Sequence, residues 1–252
     1  MEADIKLYDR VDSTNTVLEK LAEEGAQEGV CVVSLFQSKG QGRSGRTFFS
    51  PEGGNLYMSL LLRPKEQSVT GMITVMSAVA VLDAINEEFN IKAGIKWVND
   101  IMLGGKKVCG MVAKAAHYGT DDMYVVLGIG INIYENDDVP EDIAGIYGTV
   151  TGRKCDLSTD DQRHLAKRLA ENIIGRFAAY YEADDPHKAI EPYRAGCIAI
   201  GRRVCYMAGD AKMYGVIKGI DDNGGIILDT GDKTVTYTDG EIRLSYDDMN
   251  LA

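Results

Sequence analysis

The sequence has few histidines, few cysteines and a single tryptophan, and it is short of positive charge. His117, His164 and His187 lie far apart, so neither a histidine-rich metal site nor a histidine-based triad is suggested. Five cysteines, Cys31, Cys109, Cys155, Cys197 and Cys205, form no C-x-x-C pair. Their scatter and odd number argue against structural zinc and favour reduced thiols over disulfides. Lys plus Arg number 27 against 38 Asp plus Glu, a net charge of -11. That balance opposes general DNA or RNA binding but leaves room for a local basic pocket. No charged-then-apolar leader is expected, and the apolar runs read as too short or too interrupted to span a bilayer. A soluble, cytoplasmic protein without membrane contact is expected. No internal repeat or low-complexity segment occurs. With 252 residues, 45% hydrophobic and 26% charged, the chain can bury a core as one large domain or as a main domain plus a small one.

The most informative stretch that is present is Gly40-Gln41-Gly42-Arg43-Ser44-Gly45-Arg46. Glycines let successive backbone N–H groups turn toward an anion, and the forked arginine side chains match carboxylate and phosphate alike. The spacing also satisfies G-x-G-x-x-G, but the dinucleotide fingerprint requires a helix directly after the last glycine. Here a proline-broken turn, Ser50-Pro51-Glu52-Gly53-Gly54, and then a strand-like run follow. A two-anion cradle and a flexible glycine-rich surface loop both fit the stretch taken alone.

Coarse patterning gives a strand at 5–8, a helix opened by Asp12-Ser13-Thr14-Asn15 and stopped near Gly25, and strands at 30–36 and 55–62. A long apolar helix is expected over 68–89. Gly104-Gly105 between apolar runs signals a hairpin. A strand over 124–133, an acidic loop over 134–151 and an amphipathic helix over 162–181 follow. Beyond residue 199 the texture changes to short strands at 203–207, 212–220, 226–228 and 234–237, punctuated by Gly209-Asp210, Asn223-Gly224-Gly225 and Gly231-Asp232. These elements predict an α+β fold: a mixed-sheet domain over 1–199 and a small β-barrel over 200–252.

Lys96-Trp97-Val98-Asn99-Asp100 ends a short strand ahead of the hairpin. It reads either as a solvated lysine beside a core tryptophan or as a point charge placed where negative charge must be neutralised. Four segments in order decide between these: Asp12 to Asn15, the glycine loop running into Gly53-Gly54-Asn55-Leu56, Lys96 to Asp100 followed by Lys107-Val108-Cys109-Gly110, and Gly128 to Asn132. Together they resemble biotin protein ligases over essentially the whole chain.

The resemblance implies a class II synthetase-like catalytic domain with an SH3-like barrel. It also implies two chemical steps: ATP-dependent formation of biotinyl-adenylate, then transfer of biotin to a lysine of a biotin carboxyl carrier protein. By the resemblance, Ser13, Thr14, Asn15, Gln37, Gly40, Gln41, Gly42, Arg43, Lys96 and Gly110 hold biotin. Arg43, Arg46, Phe48, Lys96, Asn99 and Asn132 hold ATP, and Lys96 and Arg43 are catalytic. Mg²⁺ is expected with the nucleotide, without an assigned ligand set. A homodimer is compatible with the family. Ser13 or Thr14 could equally serve as a helix cap, and Asn132 could satisfy backbone groups.

Four positions depart from the family pattern: Gln41 for a basic residue, Phe48 for tryptophan, Val98 for proline and Lys114 for glutamate. Gln41 keeps its backbone donor, Phe48 an aromatic face and Val98 an extended backbone. Lys114 reverses a charge. It admits a second reading, a biotin-binding protein whose catalysis has decayed, unless the lysine points to solvent. A lipoate or octanoate transfer enzyme is the third. No winged-helix DNA-binding domain is expected ahead of the strand that Ile5 opens.

Overall fold

In the computed structural model, which describes residues 1–208, 211–238 and 242–244, the chain builds two sheets. The first strands are β1 (Asp4–Tyr8), β2 (Val30–Ser34) and β3 (Leu56–Leu62), with helix α1 (Thr14–Glu23) between β1 and β2. Helix α2 (Ile73–Phe89) leads to β4 (Gly94–Lys96), β5 (Asp100–Leu103), β6 (Lys106–Ala116) and β7 (Tyr124–Ile131). These seven strands take the order β1-β2-β3-β7-β6-β5-β4. Only the β1–β2 pairing is parallel, so the sheet is mixed, as expected.

The long strands β3 and β7 are buried along their whole length because both faces are covered. On one face, α1 packs Leu18 and Ala22 against Val32, Leu61 and Val126. On the other lie α2 and α4 (Thr159–Tyr181), which meet each other and the main core. Gly104 and Gly105, at φ 56 and 76, make the β5–β6 turn with the left-handed pair that a tight hairpin requires. The acidic segment after β7 contains one short helix, α3 (Glu141–Ala144). It is stitched back by Val150 N–H to Asn132 O at 2.9 Å and Thr151 N–H to Ile133 O at 3.0 Å.

The apolar stretch around α2 corrects one expectation. Its first turns, Gln67–Met72, are 3₁₀ rather than α. The described stretch Val69–Phe89 is also long and apolar enough to cross a bilayer by length and composition, with a mean hydropathy of 1.6. Its burial explains the composition: 11 of the 17 residues of α2, from Ile73 to Ile85, lie in the core. A helix apolar on nearly all sides belongs between a sheet and a second helix.

After α5 (Ile190–Gly196) the chain forms an antiparallel sheet of β8 (Arg203–Ala208), β9 (Ala211–Ile220), β10 (Ile226–Asp229), β11 (Thr234–Tyr237) and β12 (Ile242–Leu244), ordered β11-β10-β9-β8-β12. The expected turn at Gly209-Asp210 lies outside the described residues. Val204, Tyr206, Ile217, Ile220, Ile226 and Leu228 join the same buried cluster as α2. None of the five cysteines forms a disulfide, and four are buried.

Candidate active site

The glycine loop is a small hairpin of its own. Gly42 N–H donates to Arg46 O at 2.7 Å and Phe48 N–H to Gly40 O at 2.9 Å, and Arg43–Gly45 forms a 3₁₀ turn at the tip. A side chain at Gly40 would meet Phe48 O at 2.3 Å and Ser50 Oγ at 2.4 Å, so only glycine closes this hairpin. Two tethers fix it over the sheet: Gln41 Nε2 donates to Thr16 Oγ1 at 2.9 Å, and Arg43 Nη1 donates to Asn99 Oδ1 at 2.8 Å.

Beneath it lies a cleft open to solvent, with about 410 Å³ of empty space that includes part of the solvent at its mouth. Of the expected residues, Thr14, Asn15, Gln37, Gln41, Gly42, Arg43, Phe48, Asn99 and Gly110 line it. Ser13, Gly40, Arg46, Lys96 and Asn132 stand outside that lining. The floor is the Gly110–Gly130 pair, directly opposite each other on β6 and β7. A side chain at Gly130 would meet the Phe48 ring at 2.4 Å, so the ring rests on bare backbone.

The end wall is a buried polar chain. Gln37 Oε1 accepts from Thr14 N–H at 2.8 Å and from Thr14 Oγ1 at 3.0 Å, while Gln37 Nε2 donates to Ser50 Oγ at 2.9 Å. The Ser59 hydroxyl lies 2.7 Å from Thr14 Oγ1 and 2.6 Å from Asn15 Oδ1. Each of these side chains is buried, so the network fixes orientations that a ligand would otherwise have to order. Ser13 stands at the N-cap of α1 with extended backbone but makes no capping bond. Its Oγ is buried without a hydrogen-bond partner among the described residues. Asn132 Nδ2 donates to Gly148 O at 3.2 Å, and its Oδ1 is likewise buried and unpartnered. Unmatched buried polar atoms are rare and costly in native proteins, and ligand sites are where they are tolerated.

Lys96 ends β4, and its side chain is only 3% exposed. Residues 97–99 form the turn into β5, which pairs Lys96 with Asp100, and the Trp97–Val98 peptide is cis. Burial pushes the Lys96 ammonium down from 10.5 to about 8; Asp100 opposes the shift, and Lys107 and Arg46 reinforce it. Lys107 Nζ pairs with Asp100 Oδ1 at 2.6 Å and sits 5.8 Å from the centre of the Phe48 ring. In a chain of net charge -11, Arg43 and Lys107 line the cleft, and Lys96, outside the lining, is near enough to Lys107 and Arg46 for both to lower its pKa.

Residue-by-residue reading of the sequence did not single out Ser59, Lys107, Gly128 or Gly130 for a role. Lys107 and the two glycines stood inside quoted motifs. Ser59 carried no signal, since β3 is buried on both faces and one hydroxyl there does not interrupt any alternation. Lys114, the reversed charge, points outward: its side chain is 59% exposed and pairs with Glu19 at 2.7 Å. It therefore repels neither Lys96 nor Arg43.

Residues 7–132 match the biotin/lipoate A/B protein ligase family, and residues 199–245 match the biotin protein ligase C-terminal domain. The chain belongs to this ligase family. It is 34% identical over 245 residues to the bifunctional ligase/repressor BirA of Bacillus spizizenii, spanning 93% of this chain and 72% of that protein. It is 29% identical to the biotin–[acetyl-CoA-carboxylase] ligase of Mycobacterium tuberculosis, over 91% of this chain and 85% of that one. Among solved structures, the biotin protein ligase of Aquifex aeolicus in complex with biotin and ATP superposes with a TM-score of 0.78 at 27% identity, covering 96% of this chain and 98% of that one. Within the family frame, Lys114→Glu is expected to leave turnover within about twofold. The surface pair it breaks is worth under about 1 kcal/mol. A large gain in activity over the wild type would instead indicate a chain whose catalysis had decayed.

Proposed function

We propose that the chain is an ATP-dependent biotin–[biotin carboxyl-carrier protein] ligase. Biotin's carboxylate oxygen attacks the α-phosphorus of ATP and expels pyrophosphate; a lysine amine of the carrier then attacks the acyl carbon and releases AMP. The observation that carries this reading is the cluster of Lys96, Lys107, Arg43 and Arg46 beside a cleft in an acidic chain. Two unit anions brought to about 4 Å repel by roughly 4 kcal/mol at a partly buried site, so fixed cations and N–H donors are the device the first step needs.

In this reading the polar end wall of Ser13, Thr14, Asn15 and Gln37 holds the ureido ring, with Ser13 Oγ supplying an unmatched partner. Gly110 backs biotin's fused rings, and Gly40, Gln41, Gly42 and Arg43 wrap the carboxylate and α-phosphate. Lys96 bridges the two anions. Arg46, exposed on the hairpin, faces the outgoing phosphates. Asn132 Oδ1 accepts from the adenine amino group beside Phe48, and Asn99 holds Arg43 in place. Mg²⁺ would arrive with the nucleotide, whose phosphate oxygens would hold it and whose charge it would help neutralise. The acceptor is a carrier protein or domain of a biotin-dependent carboxylase, and the reaction is a cytoplasmic one, consistent with cysteines that form no disulfide. We also assign catalysis to residues 1–199 and a separate small unit to 200–252, supported by the change of sheet and the two family matches.

Pyrophosphate release that requires both biotin and ATP tests this assignment. Release with lipoate or octanoate but not biotin would replace it, and biotin binding without release would favour a sensor. The pH profile should carry the mark of Lys96. Its charge is present below about 8 and lost above it, so kcat/KM is expected to fall on the alkaline side with a limb near pH 8. Bound anions favour the charged form, so the limb in kcat should lie at higher pH.

A further inference from the structure

The backbone that carries Lys96 is gripped from the C-terminal sheet. Trp97, the only tryptophan of the chain, is buried, and its indole Nε1–H donates to Gly224 O at 2.9 Å, across 127 residues of sequence. Gly224 lies in the turn between β9 and β10, at φ +81, and a side chain there would strike Val75 of α2 at 2.8 Å. The turn is therefore seated directly on the main core.

Asp221 shapes it. Its Oδ1 accepts from Asn223 N–H at 2.9 Å and from Gly225 N–H at 2.7 Å, bracketing the residue whose carbonyl meets Trp97. Arg194 of α5 anchors the N-terminal side of the turn, through Nε to Ile220 O at 2.7 Å and Nη2 to Asp222 Oδ1 at 2.6 Å. On its other side the Lys96 segment is held by Ile198 N–H to Ile95 O at 3.1 Å and by Tyr193 Oη to Val98 O at 2.9 Å. None of these contacts touches the cleft, yet together they leave residues 95–98 little freedom.

We propose that the Asp221–Gly225 turn is a positioning element for Lys96, acting through the Trp97–Gly224 hydrogen bond. The proposal rests on the ligase assignment and adds to it a route by which the C-terminal sheet sets the rate of adenylate formation. An ammonium displaced by a fraction of an ångström loses much of its value to a transition state, because misplacement by about 1 Å can cost on the order of 10²-fold. The biotin end wall is built from α1, β3 and the segment around Gln37, so biotin affinity should follow the turn only through the contact of its carboxylate with Lys96, far less than the rate does.

The test uses the full-length chain and Asp221→Ala, with tryptophan emission reporting Trp97 alone. Biotin-dependent pyrophosphate release is expected to fall about tenfold in kcat, with the biotin dissociation constant within twofold of wild type and the emission shifted to the red. Asp221→Asn, which keeps an acceptor oxygen, should restore both rate and emission. Trp97→Phe should lose a similar factor, and Asp221→Ala added to it should cost nothing more, since both break one link. The inference is overturned by wild-type turnover in Asp221→Ala, by a fall in rate without an emission shift, by a parallel loss of biotin affinity, or by multiplying losses in the double variant. An inactive wild type would count against the ligase assignment itself, not against the turn.

Discussion

Lys96→Ala should lower biotin-dependent pyrophosphate release by about 10²–10³ while the protein still folds, because one preorganised charge or donor at a developing anion is typically worth that much. The lysine is buried at the end of β4, and Lys107 and Arg46 crowd it enough to help lower its pKa. Holding a third cation in such company is costly without a ligand and favourable only when anions arrive. Removing it does not orphan Asp100, which keeps Lys107 at 2.6 Å. The thermal midpoint should therefore stay near or above that of wild type. Turnover within a few-fold of wild type would remove Lys96 from the mechanism.

Arg43→Gly is expected to weaken biotin binding by roughly 10- to 100-fold, the span set by losing a hydrogen bond to a charged group worth about 1.5–3 kcal/mol. Arg43 does two jobs at once. It faces the cleft, and it ties the glycine hairpin to Asn99 across the mouth of the site. Without it the hairpin is still held at its base, by Gln41 to Thr16 and by Lys39 N–H to Asp12 O at 2.7 Å, but loses its tie across the mouth. Adenylate should then escape, and lysines of unrelated proteins in the assay should become labelled. An unchanged biotin dissociation constant together with labelling confined to the carrier would assign the hairpin another purpose.

Much of this site was legible in the sequence because its parts are local. The glycine hairpin, the Gly104-Gly105 turn and the strand end at Lys96 each declare themselves within a few residues, where backbone sterics dominate. What escaped depends on contacts between distant segments. Ser59 matters only because β3 lies beside α1, and Trp97 takes its role from a carbonyl on the far side of the chain. Ser13 reads by residue type either as a ligand group or as a helix cap, and in the fold its hydroxyl makes no capping bond. The direction of Lys114 was equally hidden, since Ala113, Ala115 and Ala116 around it carry no alternation; its partner Glu19 is 95 residues away.

The composition of α2 has a consequence for the chain while it is being made. Its nearest covering helix, α4, is encoded well downstream, after β4 to β7. At about 5–20 residues per second, α4 follows roughly 5 to 20 seconds behind. For that interval the nascent chain displays a helix apolar enough to attract a membrane or another unfinished chain. Slowed synthesis between residues 90 and 181 should thus reduce the yield of folded protein more than an equal delay after residue 181, a difference that pulse-labelled translation can measure.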